Sequence, residues 1–193
     1  SGALATLRAS GAGPALTPLA GAALGESSAG PVAVADIDGD GDLEVFIGGR
    51  VIPGRYPEAA SSILLRHGAG RLAPDAAAIE ALKKVGLVSS AVFSDLNGDG
   101  FPDLILACEW GPLRIFRNAG GKFTPWDAPI HSLNGSAELA ERPQPSTLNQ
   151  LTGWWTGVTT GDVDGDGRMD IIAGNWGRNH SYAHLERGPG RGY

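Results

Sequence analysis

One acidic, glycine-rich phrase occurs three times in this chain, and this repeat restricts the possible folds more than any other feature. The copies are VAVADIDGDGDLEVFIGG from Val32, AVFSDLNGDGFPDLILA from Ala91 and GVTTGDVDGDGRMDIIAGNWG from Gly157. Their first acidic residues, Asp36, Asp95 and Asp162, lie 59 and 67 residues apart. A period of this length, with insertions, is typical of one blade of a propeller.

Apolar stretches on both sides of each acidic phrase predict strands. They are short and rich in Val, Ile and Phe, as buried strands are. Segments 63–72 and 113–123 each hold two apolar runs around a Gly-containing turn, which predicts a hairpin. Each repeat is therefore predicted to have four strands, and the third copy ends after its second strand. The predicted fold class is all-β, with about two and a half four-stranded antiparallel blades at about 31–74, 88–124 and 155–193.

The segments between and before these blades differ from them in composition and pattern. Residues 1–30 show no clear period and are interpreted as a linker or peripheral docking segment. The insert 75–87 carries helix signals, with Asp75 as the candidate N-cap and Lys83 and Lys84 near its end. Residues 125–154 are rich in proline and small polar residues and predict a long surface loop.

Oxygen-bearing residues alternate along each acidic loop. Counted from the first aspartate, positions 1, 3, 5 and 9 are Asp36, Asp38, Asp40 and Glu44; Asp95, Asn97, Asp99 and Asp103; and Asp162, Asp164, Asp166 and Asp170. Such donors can converge on one hard cation that takes six to eight oxygen ligands. The expected neutral ligands are the backbone carbonyls of position 7, which belong to Asp42, Phe101 and Arg168. Calcium, up to three ions, fits better than zinc or copper because the loops contain no His or Cys.

These loops have two other interpretations. An EF-hand needs a bidentate Glu at position 12 and flanking helices, but position 12 is Ile47, Leu106 or Ala173 and the flanks are strand-like. DGDG and NGDG are also good turns in their own right. The threefold occurrence favours metal, and the loops hold 12 of the 21 acidic residues. Three divalent ions would cancel the formal charge of −6. Without metal, the like charges within each loop repel one another, so folding is expected to depend on calcium.

Composition excludes several classes of function. The chain has 193 residues, 42% of them hydrophobic, and no apolar run long enough for a membrane span. Its 15 basic residues against 21 acidic ones argue against general binding to nucleic acid. The single cysteine, Cys108, cannot form an intramolecular disulfide. No nucleophile elbow or phosphate loop is present, so the chain is not expected to be an enzyme.

Tryptophans and two glycosylation sequons are the remaining candidates. Trp110, Trp154, Trp155 and Trp176 can form a stacking surface for a glycan or peptide, although such aromatics often wedge blades together. Asn134 and Asn179 begin sequons, whose use depends on the secretory pathway.

At its acidic loops the chain resembles the FG-GAP/VCBS-type repeats of integrin-α-like β-propellers. The phrases from Gly111 and Trp154 look most like bacterial secreted propellers related to cartilage acidic protein. The resemblance implies blades with calcium between their first two strands, an extracellular or periplasmic location, and adhesion or partner binding in place of catalysis. Glu44 at position 9 and Asn97 at position 3 depart from the family pattern, yet each still offers oxygen.

Three functions remain open at this point. The first is a secreted, calcium-stabilised module for adhesion or for protein or glycan interaction, with a structural metal. The second is a subunit of an extracellular filament or array assembled through open blade edges, because closed propellers have about four to eight blades. The third is a catalytic or non-catalytic propeller part of an enzyme that acts on polysaccharide. The chain is expected to be a piece of a longer polypeptide or to be completed by a neighbouring subunit.

Overall fold

Twelve strands, one short α-helix and one 3-10 turn are the regular elements of the described part of the chain. The computed structural model describes residues 5–10, 13–18, 24–68, 71–130 and 146–177. The strands β1 to β12 span Ala5–Ser10, Gly13–Pro18, Ser28–Ala35, Glu44–Val51, Ile63–Gly68, Arg71–Pro74, Leu87–Ser94, Asp103–Glu109, Arg114–Asn118, Phe123–Trp126, Trp155–Gly161 and Asp170–Asn175. The helix α1 spans Ile79–Leu82, and a short 3-10 turn spans Leu148–Gln150.

The strands form antiparallel sheets in which chain neighbours are also spatial neighbours. Sheet 1 has the order β3-β4-β5-β6, sheet 2 consists of β7 to β10 in sequence, and sheet 3 pairs β11 with β12. A separate hairpin pairs β1 with β2. The all-β fold with four strands in each of the first two repeats is confirmed, and the arrangement of sheets fits partial propeller blades.

The segment 1–30 contains more regular structure than a linker, since β1 and β2 pair over six residues each and β3 begins at Ser28. The boundary placed at residue 30 stays a prediction. The third predicted blade, 155–193, is described only as far as residue 177. Asn134 and Asn179 lie outside the described residues.

Sheets 1 and 2 pack face to face around the largest apolar cluster. Its buried members include Phe46 and Leu64 from sheet 1 and Leu104, Leu106 and Phe116 from sheet 2. Close packing of such side chains is the main stabilising term in a domain of this size.

Sheets 2 and 3 are joined by smaller clusters. Ile105 and Ile115 of sheet 2 pack with Val158 and Ile171 of sheet 3. The three sheets therefore stack in chain order.

The predicted helical insert is present but shorter than its sequence signals indicated. Asp75 is not the N-cap: the helix begins after Ala78, and no side chain caps it. The Asp75 carboxylate instead accepts hydrogen bonds from the Arg66 guanidinium and from the Ala77 N–H. Asp75 Oδ2 thus serves the ion pair with Arg66 of β5, while Asp75 Oδ1 closes the turn that precedes the helix.

Candidate metal centre

The three acidic loops occupy the same place in their sheets. Loop 1 (36–44) joins β3 to β4, loop 2 (95–103) joins β7 to β8, and loop 3 (162–170) joins β11 to β12. Each is therefore the connection between the first two strands of its sheet. The sequence repeat corresponds to a structural repeat.

The first aspartate of every loop accepts hydrogen bonds from the glycine N–H groups of positions 4 and 6. In loop 1, Gly39 N–H donates to Asp36 Oδ1 at 2.7 Å and Gly41 N–H to Asp36 Oδ2 at 3.0 Å. The corresponding distances are 2.7 and 2.8 Å at Asp95, and 2.7 and 2.9 Å at Asp162. These bonds fix both carboxylate oxygens and curl the loop around them.

Positive φ angles explain why positions 4 and 6 are glycine. The angles are 79° and 91° at Gly39 and Gly41, 74° and 89° at the counterparts in loop 2, and 78° and 84° at those in loop 3. L side chains rarely adopt this conformation because the Cβ atom meets the backbone. The loop shape thus depends on glycine at both positions.

Carboxylate oxygens converge in loops 1 and 3. One oxygen from each of Asp36, Asp38 and Asp40 lies within 4.8 Å of the others. The same holds for Asp162, Asp164 and Asp166. A set of three carboxylates with no nitrogen or sulfur donor suits a hard cation.

Loop 2 differs at position 3, where Asn97 replaces an aspartate. Its Nδ2 donates to Asp99 Oδ2 at 2.9 Å, and its Oδ1 accepts the Asp99 N–H at 3.2 Å. The Asn97 amide therefore offers one neutral oxygen.

The first carboxylate of loop 2 is stabilised in its charged form. The hydrogen bond from the Gly100 N–H is the main reason why the pKa of Asp95 is lowered, so this carboxylate stays charged.

Position 5 fixes position 7 in each loop through a backbone hydrogen bond. Asp40 Oδ1 accepts the Asp42 N–H at 2.8 Å, Asp99 Oδ1 accepts the Phe101 N–H at 2.9 Å, and the same contact at Arg168 measures 2.8 Å. This places the residue whose carbonyl was expected to be a ligand. Ligation by the carbonyls of position 7 stays a prediction.

The carboxylates of position 9 connect their loops to the sheet. Glu44 is fully buried and accepts the Ile37 N–H of its own loop at 3.1 Å and the His67 N–H of β5 at 3.2 Å. Asp103 is also fully buried, and it accepts the N–H groups of Leu96 at 3.2 Å and Asn118 at 2.8 Å. A buried carboxylate with two N–H donors holds the loop against the third strand.

Two differences among these carboxylates follow from their surroundings. In loop 3, Asp170 accepts the Val163 N–H at 2.9 Å, and no third strand is present among the described residues of sheet 3. At Asp103, burial raises the pKa of the carboxyl against the opposing effect of its N–H donors. Metal ligation by position 9 stays a prediction for all three loops.

Arg66, a residue that the sequence analysis did not select, lies beside loop 1. Its guanidinium forms an ion pair with Asp38, a second with Asp75 at 3.0 Å, and a hydrogen bond to the Gly121 carbonyl at 2.8 Å. Asp38 Oδ1 is buried and has no hydrogen-bond partner among the described residues. The neighbouring His67 places Nδ1 2.8 Å from Asp42 Oδ2.

Asn118, which was also missed, joins loops 1 and 2. It ends β9 and is buried, and its Nδ2 donates to the Ile37 carbonyl of loop 1 at 2.7 Å and to the Pro102 carbonyl of loop 2 at 3.0 Å. Its Oδ1 accepts the Gly121 N–H at 2.7 Å. A signal existed in the sequence: RHGAG and RNAGG occupy matching places in the two hairpins, with His67 and Asn118 after an arginine.

Three of the four selected tryptophans form a row at the strand ends remote from the loops. The ring centroids of Trp110 and Trp154 are 4.8 Å apart, and those of Trp154 and Trp176 are 4.9 Å apart. Trp154 Nε1 donates to Glu109 Oε1 at 3.0 Å, and Glu109 is also paired with Arg50.

Trp155 is not part of this row. It is buried in the cluster with Ala107 and Leu113 between sheets 2 and 3. Its Nε1 donates to the Leu151 carbonyl at 3.3 Å. The row thus lies along the strand ends, while Trp155 packs in the core.

A comparison with protein-family models supports the repeat found in the sequence. Residues 95–173 match the family model described as the FG-GAP-like repeat, a segment that runs from the first aspartate of loop 2 through loop 3. No match was found among curated proteins, so the narrower likeness to bacterial relatives of cartilage acidic protein is not confirmed. Within the described residues, no helix has the length and apolar character to cross a membrane. FG-GAP repeats are typical of extracellular proteins, and the stretch of this chain that is similar to them is residues 95–173.

Proposed function

We propose that this chain is a calcium-stabilised, propeller-like module of a secreted protein, and that it acts in adhesion or scaffold interactions with a protein or glycan partner. The observation that carries the proposal is the common geometry of the three loops. In each, the first carboxylate is held by two glycine N–H groups, and further oxygen donors follow at alternate residues.

The donor set fits calcium in two respects. All side-chain donors are carboxylate or amide oxygens, which are the ligands that calcium takes in proteins. The buried Asp38 Oδ1 lacks a hydrogen-bond partner among the described residues, and a cation at the centre of loop 1 would satisfy it. When bound, calcium would neutralise carboxylates whose oxygens lie within 4.8 Å of one another.

In this proposal the metal is structural and the chain has no catalytic role. The loops connect strands whose apolar side chains form the core, so holding a loop closed also holds its two strands. An ion that binds only the folded state adds about 2.7 kcal/mol of stability when its free concentration is 100 times its Kd. In a chain of this size, that corresponds to a rise in Tm of about 5–10 °C per site.

Thermal unfolding tests the proposal. The protein is stripped with a chelator and melted without metal, with calcium and with magnesium. We expect calcium to raise Tm by at least about 5 °C, and magnesium to do less because it demands a smaller octahedral site. The variant Asp162→Asn should lose part of the calcium shift. Glu80→Gln, which removes an exposed carboxylate from α1, should keep all of it.

An identical Tm in chelator and in calcium, in a protein that is folded in both, would rule out the stabilising role.

The tryptophan row allows a separate test of whether the chain binds a glycan partner. Trp154 in the middle of the row contacts both neighbouring rings, which supports a role in sheet packing, and Trp176 is 54% exposed at the end of the row. A Trp176→Ala variant that binds an identified glycan as well as the parent chain would place the contact elsewhere.

A further inference from the structure

Loops 1 and 2 lie next to each other where sheets 1 and 2 meet. The ring of Phe101, at position 7 of loop 2, lies beside Gly39 of loop 1 and Gly120 of the turn between β9 and β10. A Cβ atom placed on either glycine would stand 3.7 Å from a carbon of this ring. The side chain of one loop therefore packs beside the main chain of the other.

The buried side-chain amide of Asn118 joins the same two loops. Its Nδ2 donates to the carbonyls of Ile37 and Pro102, which are position 2 of loop 1 and position 8 of loop 2. Each of these carbonyls belongs to a residue that lies between two expected ligands of its loop. The main-chain N–H of Asn118 also donates to Asp103 Oδ1, at position 9 of loop 2, over 2.8 Å. A displacement of either loop must therefore disturb the bonds of Asn118.

A cation in either loop favours the arrangement that these contacts need. Without metal, the carboxylates of Asp36 and Asp38, whose oxygens lie within 4.8 Å, repel each other. Opening of loop 1 would withdraw the Ile37 carbonyl from Asn118. An ion held by both carboxylates would keep this carbonyl in place, and so would keep Asn118 where it bonds to Pro102. By thermodynamic linkage, an ion in loop 2 assists loop 1 by the same factor.

We propose that loops 1 and 2 bind calcium cooperatively, and that Asn118 and Phe101 transmit the effect from one loop to the other. The inference rests on the proposed function, because it requires that both loops bind calcium. It goes further by assigning a coupling between two of the sites and the side chains that carry it. The contacts that carry the coupling all join sheet 1 to sheet 2.

Direct repulsion between the two ions acts in the opposite direction. Salt screens this repulsion, whereas packing and buried hydrogen bonds are screened much less. Cooperativity carried by Asn118 and Phe101 should therefore increase from low salt to about 0.15 M salt. Coupling by charge alone would instead be negative and would approach zero as salt is added.

Calcium titration calorimetry on the full chain, in a background without the loop 3 site, tests the proposal. Asp162→Asn provides this background. Adding Asp95→Asn leaves loop 1 alone, and adding Asp36→Asn leaves loop 2 alone. With both loops intact, the overall association constant for two ions should exceed the product of the two single-loop constants by about 5-fold to 150-fold. Native mass spectrometry should then show few chains with one ion at half saturation.

Global folding on metal binding must be kept apart from this coupling. Circular dichroism establishes that each variant is folded before calcium is added. Where a variant is not, sucrose is added to all samples, because it favours the compact state without binding the loops.

Two further variants identify the side chains that carry the coupling. Phe101→Ala removes the ring and keeps the main-chain carbonyl of position 7, and Asn118→Ala removes the donor that the two loops share. Each should reduce the coupling factor towards one, and Phe101→Ala should leave the single-loop constants nearly unchanged. Leu43→Ala, the matched control, removes a side chain of loop 1 that is 56% exposed and should keep the factor.

The proposal is overturned by a coupling factor of one or less, at about 0.15 M salt, in a chain whose two loops both bind calcium. It is also overturned if Phe101→Ala and Asn118→Ala both keep the factor of the Asp162→Asn chain. These results leave the proposed function intact. A folded chain that binds no calcium in either loop would overturn the proposed function and the coupling together.

Discussion

The side-chain amide of Asn118 donates to the main-chain carbonyl of Ile37 over 2.7 Å, so the third strand of sheet 2 is bound to the acidic loop of sheet 1. The same Nδ2 reaches the Pro102 carbonyl of loop 2 at 3.0 Å. One buried residue thus sets the relative position of two loops. Removing a buried side chain that makes several hydrogen bonds is costly, because the groups bonded to it stay buried without a partner.

We expect Asn118→Ala to lower the free energy of unfolding by about 1–3 kcal/mol, since two carbonyls and the Gly121 N–H lose their partner. Denaturant unfolding measures the change. Asn149→Ala, at an exposed position in the 3-10 turn, is the matched control and should stay within about 0.5 kcal/mol of the parent chain. Equal stability of the two variants would contradict the coupling role.

Arg66 and a loop 1 cation should compete for Asp38. Removing the guanidinium in Arg66→Gln leaves Asp38 and Asp75 without their ion pairs, so Tm in chelator should fall. The calcium-induced rise in Tm should become larger than that of the parent chain, because loop 1 then presents more uncompensated charge to the ion.

Arg71→Gln, at an exposed position of β6, serves as the control for lost positive charge. A calcium shift that Arg66→Gln leaves unchanged or reduces would show that Arg66 does not oppose the ion.

Loop curvature should depend on glycine itself, independently of available space. Gly41 has a φ of 91° and open space where a Cβ would stand, with no heavy atom within 4 Å, and Gly68 has the same open space without a positive φ. We expect Gly41→Ala to cost about 1–3 kcal/mol. Gly68→Ala should be nearly neutral. Comparable losses at both sites, measured by denaturant unfolding in calcium, would remove the conformational argument.

The thiol of Cys108 should report on the interface between sheets 1 and 2. Burial raises its pKa to about 12, so the thiol stays protonated and covered at about pH 8. An aromatic disulfide reagent should therefore react with the native protein far more slowly than with the unfolded chain. If calcium holds the sheets together, stripping the metal should speed the reaction. Rapid labelling of the native protein in calcium would contradict the buried position.

The strands and the loops could be predicted because both are encoded locally. Alternating oxygen donors and glycines at positions 4 and 6 specify the loop, and apolar runs beside it specify the strands. Contacts between distant residues were missed. The Arg66 ion pair with Asp38 spans 28 residues, and the Asn118 bond to Ile37 spans 81.

The dependence on tertiary contacts also explains why the start of the helix and the position of Trp155 could not be predicted. A local signal made Asp75 the N-cap, but the helix begins only after Ala78, and one oxygen of the Asp75 carboxylate pairs with Arg66, which the β5–β6 hairpin brings close. Trp155 is the first residue of β11 and Trp154 comes directly before it. Successive side chains of an extended chain point to opposite sides, so Trp154 joins the row and Trp155 the core. Side-chain direction and tertiary pairing were decisive in both cases.

Counting the ions bound to each chain tests the account most directly. Native mass spectrometry of the stripped protein, titrated with calcium, should show three ions per chain. Asp36→Asn and Asp162→Asn should each lose one ion, while Glu80→Gln should lose none. A folded chain that binds no calcium, or a count that the two loop substitutions leave at its original value, would contradict the account.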